Sequence, residues 1–335
     1  VTIDAQILRA LRQGGGAVEI PGADLARSLG VSPGAIAARI DELRSLGYVI
    51  EATPHRGYRL AATPDRLHAD DLLARLDHPC TVGREIHVFQ TTSSTSDIAD
   101  RLARDGLREG VVVIAESQSR GRGRLGRSWS SIPHQGLWLS ILLRPRLQPQ
   151  SATRVMVAAA TSLSRAVHRV AGCRLDIKWP NDLVWRSRKI AGILTEISAE
   201  SDRLRYLILG VGINVNHQTA DFPPELRSTA ASLLMAAGRP IDRAELAAAF
   251  LRELEHDYTR VHDSRFSLLA DEWARQCLTL GHTVTIQQGS LRIEGFAEAL
   301  DEDGVLLLRT QHGRLERILS GDVSIVKPPP ASHPS

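Results

Sequence analysis

The sequence predicts an α+β multidomain protein: a small winged helix-turn-helix unit, then a mixed β-sheet domain with packed helices, then a small C-terminal β-barrel. Three observations carry this. At roughly 150 residues per domain, a chain of 335 residues calls for two or three domains. Residues 1–62 read as three short helices and a hairpin. Beyond residue 82 strand-like runs interleave with two long helical patterns, and from residue 282 only strands and turns remain.

In the first unit, Asp4 is placed to cap a helix whose apolar positions Ile7, Leu8 and Leu11 recur at helical spacing. A second helix, from Ala23 to Leu29, stops at Gly30. Ser32 and Pro33 then supply an N-cap and an N1 proline for a third helix, which presents Ile36, Ile40 and Leu43 on one face and ends at Gly47. YVIEATPHRGYRL, Tyr48 to Leu60, alternates and breaks as a short hairpin does. This outline fits a winged DNA-binding module and also a dimerisation or docking module. Residues 1–62 carry seven arginines against six acids, so charge gives little support for tight binding to phosphates. Candidate DNA contacts are Ser32, Arg39 and Arg44 on the third helix and Arg56 in the wing. Residues 63–81 read as a linker.

The second unit, residues 82–276, contains strand-like runs at 111–115, 137–143, 175–179, 190–197 and 204–215. Its helical patterns span 151–171 and 242–262, the latter opening with Asp242 and Glu245 at capping-box spacing. Residues 280–327 form the third unit, and the tail 328–335 is expected to be disordered.

A composition of 43% hydrophobic and 24% charged residues excludes disorder over most of the chain. The net charge of +3 does not by itself announce a nucleic acid or a membrane. No run approaches the length of a membrane span, and the N-terminus lacks a signal-peptide pattern. Cys80, Cys173 and Cys277 are an odd number without CxxC spacing, and the histidines form no ligand-spaced cluster. A reducing cytoplasm and no structural zinc are therefore expected.

Two stretches carry chemistry. In ESQSRGRGRLGRSW, Glu116 to Trp129, four arginines alternate with Gly121, Gly123 and Gly126, which suits a polyanion approached closely by backbone and surrounded by guanidinium forks. No GK[ST] follows, and the next element is a strand, so neither a Walker A loop nor a dinucleotide fingerprint is indicated. A flexible RG segment for RNA is the bland alternative, and the flanking buried strands argue against it. KWPNDLVWRSRKIAGIL, Lys178 to Leu194, places a lysine at each end of a hairpin with Asn181-Asp182 in its turn. That set could hold phosphate, carboxylate and metal, although PND alone is simply a good turn.

GRGRLGRSW, KWPNDL and KIAGIL together resemble the biotin protein ligase family, and the winged N-terminus resembles its bifunctional form, biotin ligase and biotin-operon repressor. The resemblance implies a central ligase domain related to lipoate ligases and a C-terminal SH3-like barrel. It implies that ATP, with Mg²⁺, adenylates biotin to biotinyl-5'-AMP, which then acylates a lysine of a biotin carboxyl carrier domain of a carboxylase. It places biotin at Ser94, Thr95, Ser96, Gln118, Gly121, Arg122, Gly123, Arg124 and Lys189, with Ser96 standing where most members have asparagine. It places ATP at Arg122, Arg124, Arg127, Lys178, Asn181, Asp182, Lys189 and Asn214. Arg122 and Lys189 are then the expected bridge between carboxylate and α-phosphate, and Asp182 serves either as Mg²⁺ ligand or as base toward the acceptor lysine. Trp129, Trp138 and Trp179 offer walls for the ligand or packing for the core. A homodimer on ligand binding, reading an operator, is the regulatory expectation. A biotin-sensing regulator without catalysis and a lipoate-type ligase are the competing readings.

Charge by region sharpens the picture. Residues 116–129 and 174–189 each sum to +3, so the rest of the chain sums to −3.

Overall fold

The computed structural model describes residues 1–15, 18–76, 79–200, 203–262 and 265–326. Three helices, α1 (Ile3–Gln13), α2 (Gly22–Leu29) and α3 (Pro33–Ser45), precede the hairpin of β1 (Val49–Thr53) and β2 (Gly57–Ala62). Ile7, Leu8 and Leu11 of α1 pack with Ile36, Ile40 and Leu43 of α3, as their spacing requires. Gly30 adopts the left-handed φ of 67° that ends α2, and the Ser32 hydroxyl accepts from the Ala35 N–H at 3.2 Å. The cap of α1 differs from expectation. The helix begins one residue before Asp4, so Thr2 is the cap and accepts from the Ala5 N–H at 3.2 Å. Asp4 lies inside the first turn, buried, where its two oxygens take the Arg39 fork at 2.7 and 2.6 Å.

The segment expected as a linker contains α4 (Ala69–Arg75). Seven residues are too few for a periodic signal, and so short a helix draws its stability from what it packs against. Leu72 and Leu73 are buried, and Arg9 of α1 caps the carbonyls of Leu73 and Leu76 at 2.9 Å each. Asp71, 2% exposed, takes both Arg12 of α1 and Arg75, and Arg75 continues to Glu245 at 2.7 Å.

The central domain runs β3 (Glu85–Thr92), α5 (Thr95–Arg104), β4 (Val111–Gln118), β5 (Gly136–Leu143), α6 (Thr153–Ala171), β6 (Asp176–Lys178), β7 (Asp182–Trp185), β8 (Arg188–Glu200), β9 (Arg203–Asn214), α7 (Leu233–Ala237), α8 (Arg243–Tyr258) and α9 (Phe266–Gln276). Its seven strands lie in the order β3-β4-β5-β9-β8-β7-β6, with β3 and β4 parallel and the other pairs antiparallel. Both faces are covered, which explains the continuous apolar runs. Val111 and Val113 pack with Ala99 and Ala103 of α5, whereas Val112 and Ile114 belong to the core shared with α6 and α8. Two local expectations change. The Lys178–Lys189 segment is two hairpins rather than one, because β7 turns back at Arg186 and Ser187, both of positive φ. The capping box at α8 is half formed. Asp242 accepts from the Glu245 N–H at 2.9 Å, while the Glu245 carboxylate turns to Arg75 and Arg252.

Five antiparallel strands complete the described chain: β10 (Thr283–Gln288), β11 (Leu291–Leu300), β12 (Leu306–Thr310), β13 (Leu315–Ile318) and β14 (Asp322–Ile325), in the order β13-β12-β11-β10-β14. Lys327 and the tail 328–335 lie outside the described residues. Among the described residues no helix is long and apolar enough to cross a membrane.

Asp71 is the buried joint between α1 and α4, so Asp71→Ala leaves Arg12 and Arg75 without their shared carboxylate. A stability loss of about 3 kcal/mol is expected, measured as a lowered unfolding midpoint.

Candidate active site

The start of α5, the ends of β4 and β9, the first halves of β5 and β8 and the β6–β7 turn meet around one cavity of about 540 Å³. Every residue assigned to biotin or ATP by resemblance lines it except Gly121. Gly121 has a different task. A Cβ there would lie 2.6 Å from the Trp129 carbonyl, so glycine permits the contact by which the Trp129 N–H donates to the Gly121 carbonyl at 2.9 Å.

One end of the cavity is a set of buried neutral polar groups. Thr95 donates its N–H to Gln118 Oε1 at 2.8 Å, and its hydroxyl lies 2.8 Å from Ser140 Oγ. Ser96 Oγ is 3.0 Å from the same Ser140 hydroxyl, and Ser94 sits at the N-cap of α5. Sequence reasoning misses Ser140. Its one signal is a lone hydroxyl inside LWLSILL, a strand buried at every position.

The wall beside it is made by glycines. Gly192 and Gly212 are register partners on β8 and β9, and a Cβ at either would come within 3.0 Å of the Trp129 indole. Their bare backbone lets the indole lie over the sheet, and Lys189 Nζ stands 5.2 Å from its ring centroid. Glycines inside strand patterns are the sequence cue to this wall. Trp138 and Trp179 are almost fully buried, and both also line the cavity.

The other end is charged. Lys189 Nζ contacts Asp182 Oδ1 at 2.6 Å. Arg124 Nη1 donates to Asn181 Oδ1 at 3.1 Å, and Asn181 Nδ2 is anchored on the Ile193 carbonyl at 2.7 Å. Asn214 donates to the Ala231 carbonyl at 3.1 Å, and the Lys189 backbone is tied to Thr229 and Ala231 at 2.7 and 2.9 Å. Lys178 lines the cavity from the end of β6.

The loop arginines differ in what neutralises them. Arg122 pairs with Asp97 and Glu196, and Arg127 pairs with Asp322 of β14. Burial weakens the Arg122 charge, but those carboxylates outweigh it and raise its pKa. Asp97 is held below the usual carboxylate range because Arg122 and Ser93 overcome its burial. Arg124 has a neutral amide as its hydrogen-bond partner, and burial lowers its pKa despite Asp182 and Asp322 nearby. Of the three loop arginines that line the cavity, Arg124 is thus the one without a direct ion pair, whereas Arg122 and Arg127 are each paired with carboxylates.

Asp182 lines the cavity together with Asp221 and Asp322, and among the described residues no three potential ligands cluster to hold a metal. An Mg²⁺ ion brought with the nucleotide would be held by Asp182 and would supply positive charge on the phosphates.

In the winged unit the candidate DNA residues are occupied within the domain. Ser32 caps α3, Arg39 pairs with Asp4 and Glu42, Arg44 donates to the Ile50 carbonyl and Asp41, and Arg56 pairs with Glu19.

A winged helix-turn-helix joined to a sheet cavity that gathers cationic side chains beside a pocket of neutral polar groups marks the class: a helix-turn-helix module fused to a domain that binds a ligand with an anionic end. The comparisons agree with that class. Residues 4–59 match an HTH domain, 88–214 the biotin/lipoate A/B protein ligase family, and 279–326 the biotin protein ligase C-terminal domain. The chain is 37% identical over 306 residues to the bifunctional ligase/repressor BirA of Bacillus subtilis (strain 168), covering 91% of this chain and 94% of that one. It is 29% identical to its namesake in Escherichia coli (strain K12), over 91% and 92%. A biotin protein ligase from Aquifex aeolicus solved with biotin and ATP superposes with a TM-score of 0.62 at 29% identity, covering 73% of this chain and 100% of that one. The chain belongs to the biotin protein ligase family, in its bifunctional ligase/repressor branch.

His217 also lines the cavity, 2% exposed, stacked on Phe222 and edge-on to Trp138 with centroids 5.2 and 6.4 Å away. Burial lowers its pKa from 6.5 to about 4, against a small opposing pull from Asp221. The fold therefore holds it neutral where the unfolded chain would protonate it. Its contribution is complete above pH 6.5 and is lost as pH falls toward about 4, on the order of 3 kcal/mol. His217→Phe is expected to remove part of the acid-side fall of the unfolding midpoint. An unchanged pH profile would contradict this.

Proposed function

We propose that this chain is an ATP-dependent biotin protein ligase that also acts as a biotin-responsive transcriptional repressor. The observation that carries the ligase reading is the division of one cavity into a neutral polar end, Thr95, Gln118 and Ser140, and a cationic end, Arg124 and Lys189 beside Asn181-Asp182. The ureido ring of biotin has donors and an acceptor for the first end, and Trp129 flanks its apolar body. Its carboxylate then reaches the second end, where ATP presents its α-phosphate.

The carboxylate and phosphate repel until fixed charge neutralises both. Arg124 and Lys189 supply that charge from positions held by Asn181 and by the backbone of Thr229 and Ala231. Mg²⁺, when bound, adds charge on the phosphates. Attack by the carboxylate oxygen on the α-phosphorus expels pyrophosphate and leaves biotinyl-5'-AMP. Residues 119–135 cover the mixed anhydride, with Arg122 and Arg127 tying the loop to Asp97, Glu196 and Asp322. A lysine of a biotin carboxyl carrier domain then attacks the carbonyl and AMP leaves. Asp182, already within reach of an ammonium group in Lys189, is placed to orient the incoming lysine and take its proton.

Ser94, Ser96, Gly123, Lys178 and Asn214 complete the two ligand surfaces. A reducing cytoplasm suits the three free cysteines. For the regulatory half, operator binding by a ligand-induced dimer is supported by the winged domain. Because its arginines are largely paired, the dimer must supply phosphate contacts that one copy lacks.

With biotin, MgATP and a carrier domain, the protein is expected to label the carrier lysine and release pyrophosphate. Labelling with lipoate and not with biotin would overturn the reading. Lys189→Ala is expected to lower the rate of biotin-dependent pyrophosphate release by on the order of 10²-fold to 10³-fold, and an unchanged rate would remove Lys189 from the chemistry. Footprinting should show protection upstream of biotin-synthesis genes only when biotin and ATP are both present.

A further inference from the structure

Both feet of the arginine loop are held by one buried side chain. Arg243, the first residue of α8, is 1% exposed, and all five of its N–H donors are used. Nη1 donates to Glu116 Oε2 at 2.6 Å and to the Gly136 carbonyl at 3.1 Å. Nη2 donates to Glu116 Oε1 at 3.2 Å and to the Asp65 carbonyl at 3.1 Å, and Nε donates to Asp65 Oδ1 at 3.1 Å. Glu116 lies on β4 just before the loop and Gly136 opens β5 just after it. Glu116 is itself 1% exposed and takes a further hydrogen bond from the Leu67 N–H at 2.9 Å.

The cluster thus joins three parts of the chain: the two feet of the loop, α8, and residues 65–67, which follow the wing. Two residues beyond Glu116 on the same strand is Gln118, whose side chain meets Thr95. A buried ion pair is poor evidence for stability as such, because desolvation offsets most of the attraction and a well-packed apolar pair serves as well. What such a pair supplies here is direction: a planar fork with five fixed acceptors admits one arrangement of the segments it joins.

We propose that Glu116 and Arg243 are positioning residues for the biotin half of the site, setting the loop's feet so that Gln118 faces the ligand, and that Asp65 and Leu67 complete the clamp from the segment behind the winged domain. The winged domain is thereby anchored to the strand that enters the ligand loop. This rests on the ligase reading above. Loosening the clamp lowers the fraction of molecules with the loop correctly seated, which weakens apparent biotin affinity by that fraction; at the nucleotide end Lys178, Asn181, Asp182 and Lys189 stand on the segment β6 to β8, and Arg124, though carried by the loop, keeps its own bond to Asn181.

The test uses the full chain, biotin-dependent pyrophosphate release and two variants. Glu116→Gln keeps shape and removes charge, and is expected to raise the KM for biotin about 10-fold while kcat and the KM for ATP stay within about 3-fold. Asp65→Ala alters a side chain that is 68% exposed, so folding is not at risk, and is expected to raise the biotin KM about 3-fold with an unchanged unfolding midpoint. If both variants keep the wild-type biotin KM, or change the biotin and ATP KM values equally, the positioning role is overturned and the pair is structural only. A wild-type protein that releases no pyrophosphate overturns the ligase reading instead.

Discussion

A cavity that must press a carboxylate against a phosphate needs positive charge that its own fold has not already neutralised. Two such anions 4 Å apart repel by about 1 kcal/mol in water and about 4 kcal/mol near a protein surface. Arg124 is half-buried against a neutral amide and so fits the need, whereas Lys189, on the other side, is held over an indole and already paired with Asp182. Had Arg124 been paired like Arg122 or Arg127, each binding event would first have to break an ion pair. The neighbouring pairs work differently. They are at least partly exposed, contribute at most about 1 kcal/mol each, and tie the loop to α5, β8 and β14 without locking it, so ligand exchange does not require unfolding.

The sheet makes that arrangement possible. Arg124 and Lys189 are brought together because β4, β5, β9 and β8 are consecutive in one seven-stranded sheet, and the loop after β4 and the start of β8 open at the same end. Three strand glycines facing the cavity, Gly192, Gly210 and Gly212, keep the sheet surface bare where Trp129 and Ser96 approach. On the far side, buried polar contacts run from Arg12 through Asp71 and Arg75 to α8, whose first residue clamps the loop. Both sets of contacts end on the first turn of α8, at Glu245 and at Arg243.

Much of this architecture is legible in the amino-acid sequence. The winged unit, the mixed sheet and the small barrel follow from periodicity and turn residues, and the arginine loop and the Lys178–Lys189 segment stand out by composition. The features that sequence patterns hide have a common cause: their roles are fixed by tertiary partners. The two turns of α4 carry no period of their own. Which of the cavity's loop arginines stays without a direct ion pair depends on Asp97, Glu196 and Asp322, all distant in sequence. Ser140 looks like an accident in an apolar strand until the hydroxyls of Thr95 and Ser96 are seen against it. Gly121 has the right composition for a ligand contact, but its missing Cβ makes room for a carbonyl of its own loop.

If the biotin carboxylate itself attacks the α-phosphate, one of its oxygen atoms ends in AMP. Biotin labelled with ¹⁸O in both carboxylate oxygens is turned over with MgATP and a carrier domain, and the released AMP is analysed by mass spectrometry. One ¹⁸O is expected in the AMP phosphate and one in the new amide. Unlabelled AMP, with label absent from its phosphate at every stage of turnover, would contradict attack by the carboxylate.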